Sequence, residues 1–276
     1  MDLTTKIQIA NLSVKLMNRY IFDRTVVIAA HNEDQPFDHG TGTLVQIGDE
    51  RIVVTAAHVV KRHEPERLQI VGAGNASNLR NAPVEKEVLG GGLDEDLDVG
   101  FIRLTPIVVE RLKGKSFITL EDIELFPVGV SDDLSLNFGM PEAAHQEENN
   151  KVHRYDSFSY FTNIPDDFDW KSRERRPLDI WMEYPAEVEN TISGKVEALP
   201  NPKGMSGGGI WRARFRDAKI WTPERVRLIG LNSEFYEDKR QIRANRTEAL
   251  VELLARHFLL AAQYLDDARL KLDENK

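Results

Sequence analysis

From Thr25 onward the chain is written in short β-branched runs, each ended by turn-forming residues after five or six positions. Residues 25–30, 42–47 and 51–55 are three such runs, and Gly48-Asp49-Glu50 makes a tight hairpin turn between the last two. Residues 68–71, 84–89 and 99–104 continue the pattern. A second β-rich half begins near Phe117, with strands expected over 134–138, 152–161, 180–184, 192–198, 209–214 and 227–233. Many short strands with turns about every ten residues argue for a barrel or sandwich rather than alternating strands and helices.

The two ends of the chain read differently. Ile9, Leu12, Leu16 and Tyr20 fall on one helical face, so residues 1–24 are expected to form a helical arm. At the other end Asn245 and Glu248 have the spacing of a capping box. Leu250, Leu254, Phe258, Ala261, Leu265 and Ala268 then recur every three or four residues, predicting a C-terminal helix over 245–276. Residues 25–115 and 116–244 are expected to form two β-rich units between these helices. The polar stretches 141–151 and 165–177 read as surface loops.

Composition narrows the setting. The 276 residues carry a formal charge of −9, a poor match for nucleic acid or an anionic membrane. The basic cluster Lys171-Ser172-Arg173-Glu174-Arg175-Arg176 is interleaved with acid and reads as a solvated loop. There is no cysteine, so neither a disulfide nor a cysteine-ligated metal holds the fold together. The acidic start at Asp2, with Lys15, Arg19 and Arg24 interrupting the apolar positions, does not read as a secretion signal. No stretch approaches the about eighteen apolar residues of a membrane-spanning helix. A cytoplasmic protein is the expectation.

Three stretches carry chemistry. In Val54-Thr55-Ala56-Ala57-His58-Val59-Val60 a strand ends at an imidazole flanked by small residues. In Asp96-Leu97-Asp98-Val99-Gly100-Phe101-Ile102 an acid stands directly before an apolar strand, where it needs a partner. Asp94, Glu95 and Asp96 read instead as a solvated acidic loop. In Asn201-Pro202-Lys203-Gly204-Met205-Ser206-Gly207-Gly208-Gly209 glycines flank a serine on both sides. They permit backbone angles closed to other residues and a close approach by a substrate. Such a turn can aim the N–H groups of Gly204 and Ser206 at one point. Together the stretches provide a nucleophile, a base, a group to orient the base, and donors for an oxyanion.

The order His58, Asp98, Ser206, the Thr-Ala-Ala-His run and the Gly-Met-Ser-Gly-Gly turn resemble trypsin-like (chymotrypsin-fold) serine peptidases, over roughly residues 25–254. Phe138-Gly139-Met140-Pro141 resembles a turn of bacterial members. The resemblance implies an all-β fold of two packed six-stranded antiparallel barrels, with His58 and Asp98 in the first and Ser206 in the second. It implies an oxyanion hole from the backbone N–H of Gly204 and Ser206, and no cofactor. Residues 228–234 resemble the family strand that pairs with substrate backbone. That carries Ser233, Glu234 and Phe235, with Lys203 across the pocket, into substrate-binding roles. Lys203 or Arg243 would favour an acidic side chain in the substrate. Secreted members often place Asp before the nucleophile, to pair with a new N-terminus; Met205 stands there instead. Removal of the N-terminal arm is therefore not needed, and a regulatory protein partner acting on the arm or on residues 141–151 is the expected control.

The remaining candidates do not compete. His58 and His63-Glu64 lack the spacing of a zinc motif, and no metal is expected. The tryptophans read as core or loop anchors. Two alternatives stay open beside a serine endopeptidase acting on protein or peptide: a catalytically silent protease-like binding scaffold, and an esterase using the same triad.

Overall fold

The computed structural model describes residues 3–32, 35–63, 68–72, 82–83, 91–127, 134–149, 152–162, 164, 178–190, 194–214 and 221–274. The expected strand over 84–89, the basic cluster 171–176 and the stretch 165–177 lie outside them. The chain opens with helix α1 (Leu3–Phe22). Strands β1 (Thr25–Asn32), β2 (Gln35–Ile47) and β3 (Glu50–Thr55) follow, then a short helix α2 (Ala57–Lys61). Next come β4 (Leu68–Gly72), β5 (Ala82–Pro83), β6 (Gly92–Asp94), β7 (Val99–Arg103) and helix α3 (Pro106–Arg111). These strands form one seven-stranded antiparallel sheet in the order β5-β4-β1-β2-β3-β7-β6.

The second half contains β8 (Ser135–Gly139), the hairpin of β9 (His145–Asn149) with β10 (Val152–Tyr155), β11 (Phe158–Thr162) and β12 (Asp179–Glu183). A small pair, β13 (Glu187–Glu189) with β14 (Val196–Ala198), precedes β15 (Gly209–Arg212), β16 (Arg227–Tyr236) and β17 (Gln241–Arg246). The six-stranded antiparallel sheet runs β11-β8-β15-β16-β17-β12. The chain crosses from one sheet to the other over a few residues: Ile118 bridges to Val45 of β2, and Ile123 to Leu228 of β16. The two-barrel all-β architecture follows, with a seventh strand in the first sheet.

Three apolar clusters explain why the strands read as continuous runs rather than alternating ones. Val26, Ile28, Ala30, Leu44, Val53 and Ile102 fill the interior of the first sheet. Their neighbours Val27, Ala29, Val45, Ile52, Val54 and Phe101 point the other way, into a core shared with the second sheet and the helices. Ile180, Met182, Ile210, Ile229, Ile242 and Ala244 line the interior of the second sheet. Strands buried on both faces have no polar side to show, so period-two alternation disappears.

The apolar stripe at the C-terminus forms two helices rather than one, α4 (Thr247–Ala255) and α5 (Leu259–Glu274). The chain turns at Arg256 and His257, where the N–H groups of His257 and Phe258 both return to the Leu254 carbonyl. Phe258, Ala261 and Leu265 stay in the same core as Leu250 and Leu254, so the stripe continues across the break. The Asn245–Glu248 capping box does not form. Glu248 accepts instead from the Phe126 N–H at 2.8 Å and from Arg246, and α4 has no side-chain cap.

Candidate active site

His58 sits in the first turn of α2, directly after β3, with Ala56 and Ala57 buried beneath it. Asp98 closes the turn before β7 in a left-handed conformation (φ 50°), a region aspartate tolerates better than most residues. Asn245 of β17 donates to the Asp98 carbonyl at 3.2 Å and holds that turn in place. The Asp98 carboxylate lies 3.0 Å from His58 Nδ1 through each oxygen, and Oδ1 also accepts the His58 backbone N–H at 3.0 Å. The pair is only partly exposed, 25% for the imidazole and 16% for the carboxylate. Burial alone would push the Asp98 carboxyl up. The hydrogen bonds from His58 and Ser233 outweigh it and hold the carboxyl below its ordinary value.

Ser206 is carried by a turn stitched to its surroundings through backbone bonds. The Gly207 N–H donates to Asn232 O at 2.7 Å, and the Gly208 N–H to Met205 O at 2.8 Å. From the first sheet, the Thr41 N–H reaches Ser206 O and Thr41 Oγ1 reaches Gly204 O, both at 2.8 Å. Gly204 (φ 92°) needs to be glycine: a Cβ there would lie 2.5 Å from His39 Nε2 and 2.8 Å from Met140 O. Among the described residues neither the Gly204 nor the Ser206 N–H donates to a hydrogen bond. The Ser206 hydroxyl donates to Ser233 O at 3.3 Å rather than to His58.

A cleft of about 490 Å³ brings His58, Asp98 and Ser206 together. Lys203, Ser233, Glu234 and Phe235 line the same cleft. Lys203 is 61% exposed and pairs with Glu142 at 2.7 Å; that hydrogen bond raises its pKa. Phe235 packs edge-on to Tyr184. Ser233 is the extra residue of a bulge, since Asn232 and Glu234 pair with Ala244 and Arg243 and leave it between them. Its carbonyl turns to Ser206 and its hydroxyl donates to Asp98 Oδ2 at 2.5 Å.

Several residues of the site escape a reading of the sequence. Thr41 and Asn245 act over long separations and show no local signal. His39 Nε2 donates to Met140 O (2.8 Å), and the ring packs edge-on against Tyr155; burial above all lowers its pKa. Met205 is buried and packs on Gly139, so apolar packing anchors the position before Ser206. Among the described residues no group of three or more His, Asp or Glu could hold a metal ion, and no helix is long and apolar enough to cross a membrane.

No protein-family model matches the sequence, and no curated protein matches it. Among solved structures the chain is similar to a serine endoprotease from Yersinia pestis, at 14% identity and a TM-score of 0.51. That match covers 92% of this chain but only 66% of the other, just under two thirds of its length. An inactivated protease paralogue of the scabies mite, S-I1, matches at 13% identity and a TM-score of 0.49, over 86% of this chain and 96% of that one. At such identity the first likeness is one of fold, the trypsin-like protease fold.

Proposed function

We propose that this protein is a serine endopeptidase that hydrolyses peptide bonds through an acyl-enzyme. The observation that carries the reading is the clamp of Asp98 on His58 Nδ1 within a cleft that Ser206 also lines. An imidazole bound through Nδ1–H presents Nε2 as a base. Ser206 Oγ attacks the scissile carbonyl carbon and its proton passes to Nε2. The N–H groups of Gly204 and Ser206 take the oxyanion, and His58 returns the proton to the departing amine. Water then repeats the sequence on the ester. A rotation about the Ser206 Cα–Cβ bond, from Ser233 O towards His58, precedes attack.

The substrate is a peptide strand laid beside β16. Among the described residues strand β15 pairs with β16 only as far as Leu231, and no other described strand pairs with Glu234 and Phe235 on that side. A regulatory partner belongs to the same reading, acting through α1 or the segment after Met140. Glu142 donates its N–H to Lys203 O at 2.7 Å, so movement there reaches the turn that carries Gly204.

A fluorophosphonate probe tests the reading. It should label Ser206, and Ser206→Ala should abolish both labelling and casein cleavage. The silent-scaffold reading is favoured by one observation, the Ser206 hydroxyl resting on Ser233 O; folded protein that resists the probe would establish it. Labelling with ester turnover but no peptide cleavage would mean an esterase.

A further inference from the structure

The sequence suggests Arg243 as a receptor for an acidic substrate side chain, but its guanidinium is already engaged. Arg243 Nη2 donates to Ser233 Oγ at 3.1 Å, and Ser233 Oγ in turn donates to Asp98 Oδ2. Arginine has donors only, and a serine hydroxyl has a single proton. With Arg243 giving a proton to that oxygen, the serine's own hydrogen must point elsewhere, and the carboxylate of Asp98 is the acceptor in reach.

We propose that Arg243 is a positioning residue that fixes the direction of the Ser233 hydroxyl, so that its proton is always given to Asp98. The proposal rests on the peptidase reading for its consequence in turnover, though not for its geometry. Two observations support it. Arg243 is 20% exposed, and its Nε is buried with no hydrogen-bond partner among the described residues, so little solvent screens the Nη2 contact to Ser233. Its carboxylate neighbour, Glu234 at 3.5 Å, is 52% exposed and accepts from the Tyr236 hydroxyl, so solvent and Tyr236 share that charge. The guanidinium therefore acts mainly on Ser233.

Other charges face the pair. Arg62 and Glu95 line the same cleft, Glu95 held by Lys61; Asp94 is paired with Arg256, Lys203 with Glu142, and His63 with Asp38. None of them bonds to Ser233, so the Ser233→Ala background isolates the contribution of Arg243. Losing the cation, and losing the donor on Asp98, both favour the imidazolium. The acid limb of activity, which belongs to the coupled His58–Asp98 pair, must move to higher pH.

The test compares Arg243→Met (or Arg243→Gln should that variant not fold), Arg243→Lys, Ser233→Ala and the double variant. One readout is the pH dependence of fluorophosphonate labelling; the other is the low-field proton resonance of the His58–Asp98 hydrogen bond. Arg243→Met should shift the acid limb up by about half to one pH unit and move the resonance. Arg243→Lys should restore both, and in the Ser233→Ala background the shift should fall below half. An equal shift in both backgrounds, or none in either, overturns the proposal. If the wild type is not labelled at all, the peptidase reading fails separately, and the resonance still decides the role of Arg243.

Discussion

Asp98 holds His58 by two different atoms at once, its carboxylate bonding to the backbone N–H and to ring Nδ1, each at 3.0 Å. The grip fixes the start of α2 and the plane of the imidazole together. It joins the end of β3 to the turn before β7, a turn that Asn245 of the second sheet secures through the Asp98 carbonyl. The imidazole is thus positioned by both sheets, although His58 and Asp98 belong to one.

Asp98→Asn keeps the shape of this grip but offers an amide where His58 requires an acceptor, so the wrong ring nitrogen is left free. Labelling of Ser206 should fall by about 10⁴-fold, as the same change does in serine peptidases with this triad, with circular dichroism unchanged. Stability should respond to pH in a defined direction. Folding holds the Asp98 carboxyl below its ordinary 3.8, so its contribution is present above that value and is lost as pH falls through the lower folded one. The stability gap between wild type and variant should close in acid; a gap constant with pH would contradict the assignment.

His58, Asp98 and Ser206 are legible in the sequence because each stands in a short stretch whose residue types already limit the local geometry. Thr41 is not, since its bond to Gly204 spans 163 residues and nothing beside it announces the contact. Ser233 is legible as a wall of the cleft, but its bond to Asp98 depends on a bulge that only the register of β16 against β17 creates. Strand β17 escapes the sequence reading although Ile242 and Ala244 alternate with Arg243 and Asn245, because its polar residues have weak strand preference. The break between α4 and α5 leaves no trace, because both helices bury one continuous stripe in the same core.

Gly204→Ala tests the turn whose N–H groups, of Gly204 and Ser206, are the proposed oxyanion donors. The left-handed φ of 92° is unfavourable for alanine, and the added Cβ would press on His39 Nε2, Met140 O and the Glu142 N–H. The strain amounts to about 1–3 kcal/mol. Relief by rotating the peptide would turn an N–H away from the cleft. Labelling by the fluorophosphonate should drop at least about 100-fold, in line with loss of one oxyanion donor. Labelling at the wild-type rate would show that Gly204 does not contribute to the hole.

Lys115 predicts a rise of stability with pH in a higher range, because burial pushes its ammonium pKa down. Its ammonium donates to Phe22 O at 2.7 Å at the end of α1 and lies over the Phe22 ring, and burial lowers its pKa to about 8. Between that value and its ordinary 10.5 the unfolded chain binds more protons than the folded one, so stability should rise with pH. Thermal unfolding followed from about pH 7.5 to 9.5 should show the rise, and Lys115→Met should flatten it. The range stops short of where buried tyrosines such as Tyr155, pushed up to about 12, begin to act in the other direction. An equally steep rise in the variant would remove Lys115 as its cause.

Thr41 joins the first sheet to the turn that carries Ser206, and its replacement separates packing from hydrogen bonding. Its side chain is fully buried; Oγ1 donates to Gly204 O at 2.8 Å and accepts the Met140 N–H at 2.9 Å. Valine has nearly the same shape, so Thr41→Val leaves no cavity but strands a buried carbonyl and a buried N–H. Each costs about 1–3 kcal/mol unless the turn shifts to recover a partner. The Thr41 N–H still holds Ser206 O, so the shift should fall on Gly204, whose carbonyl is released while Ser206 stays tethered. Thr41→Val should therefore lower the rate of labelling more than the loss of folded protein explains, and Thr41→Ser, which keeps the hydroxyl, should restore it. Equal loss of labelling and of folded fraction in the valine variant would reduce Thr41 to a packing residue.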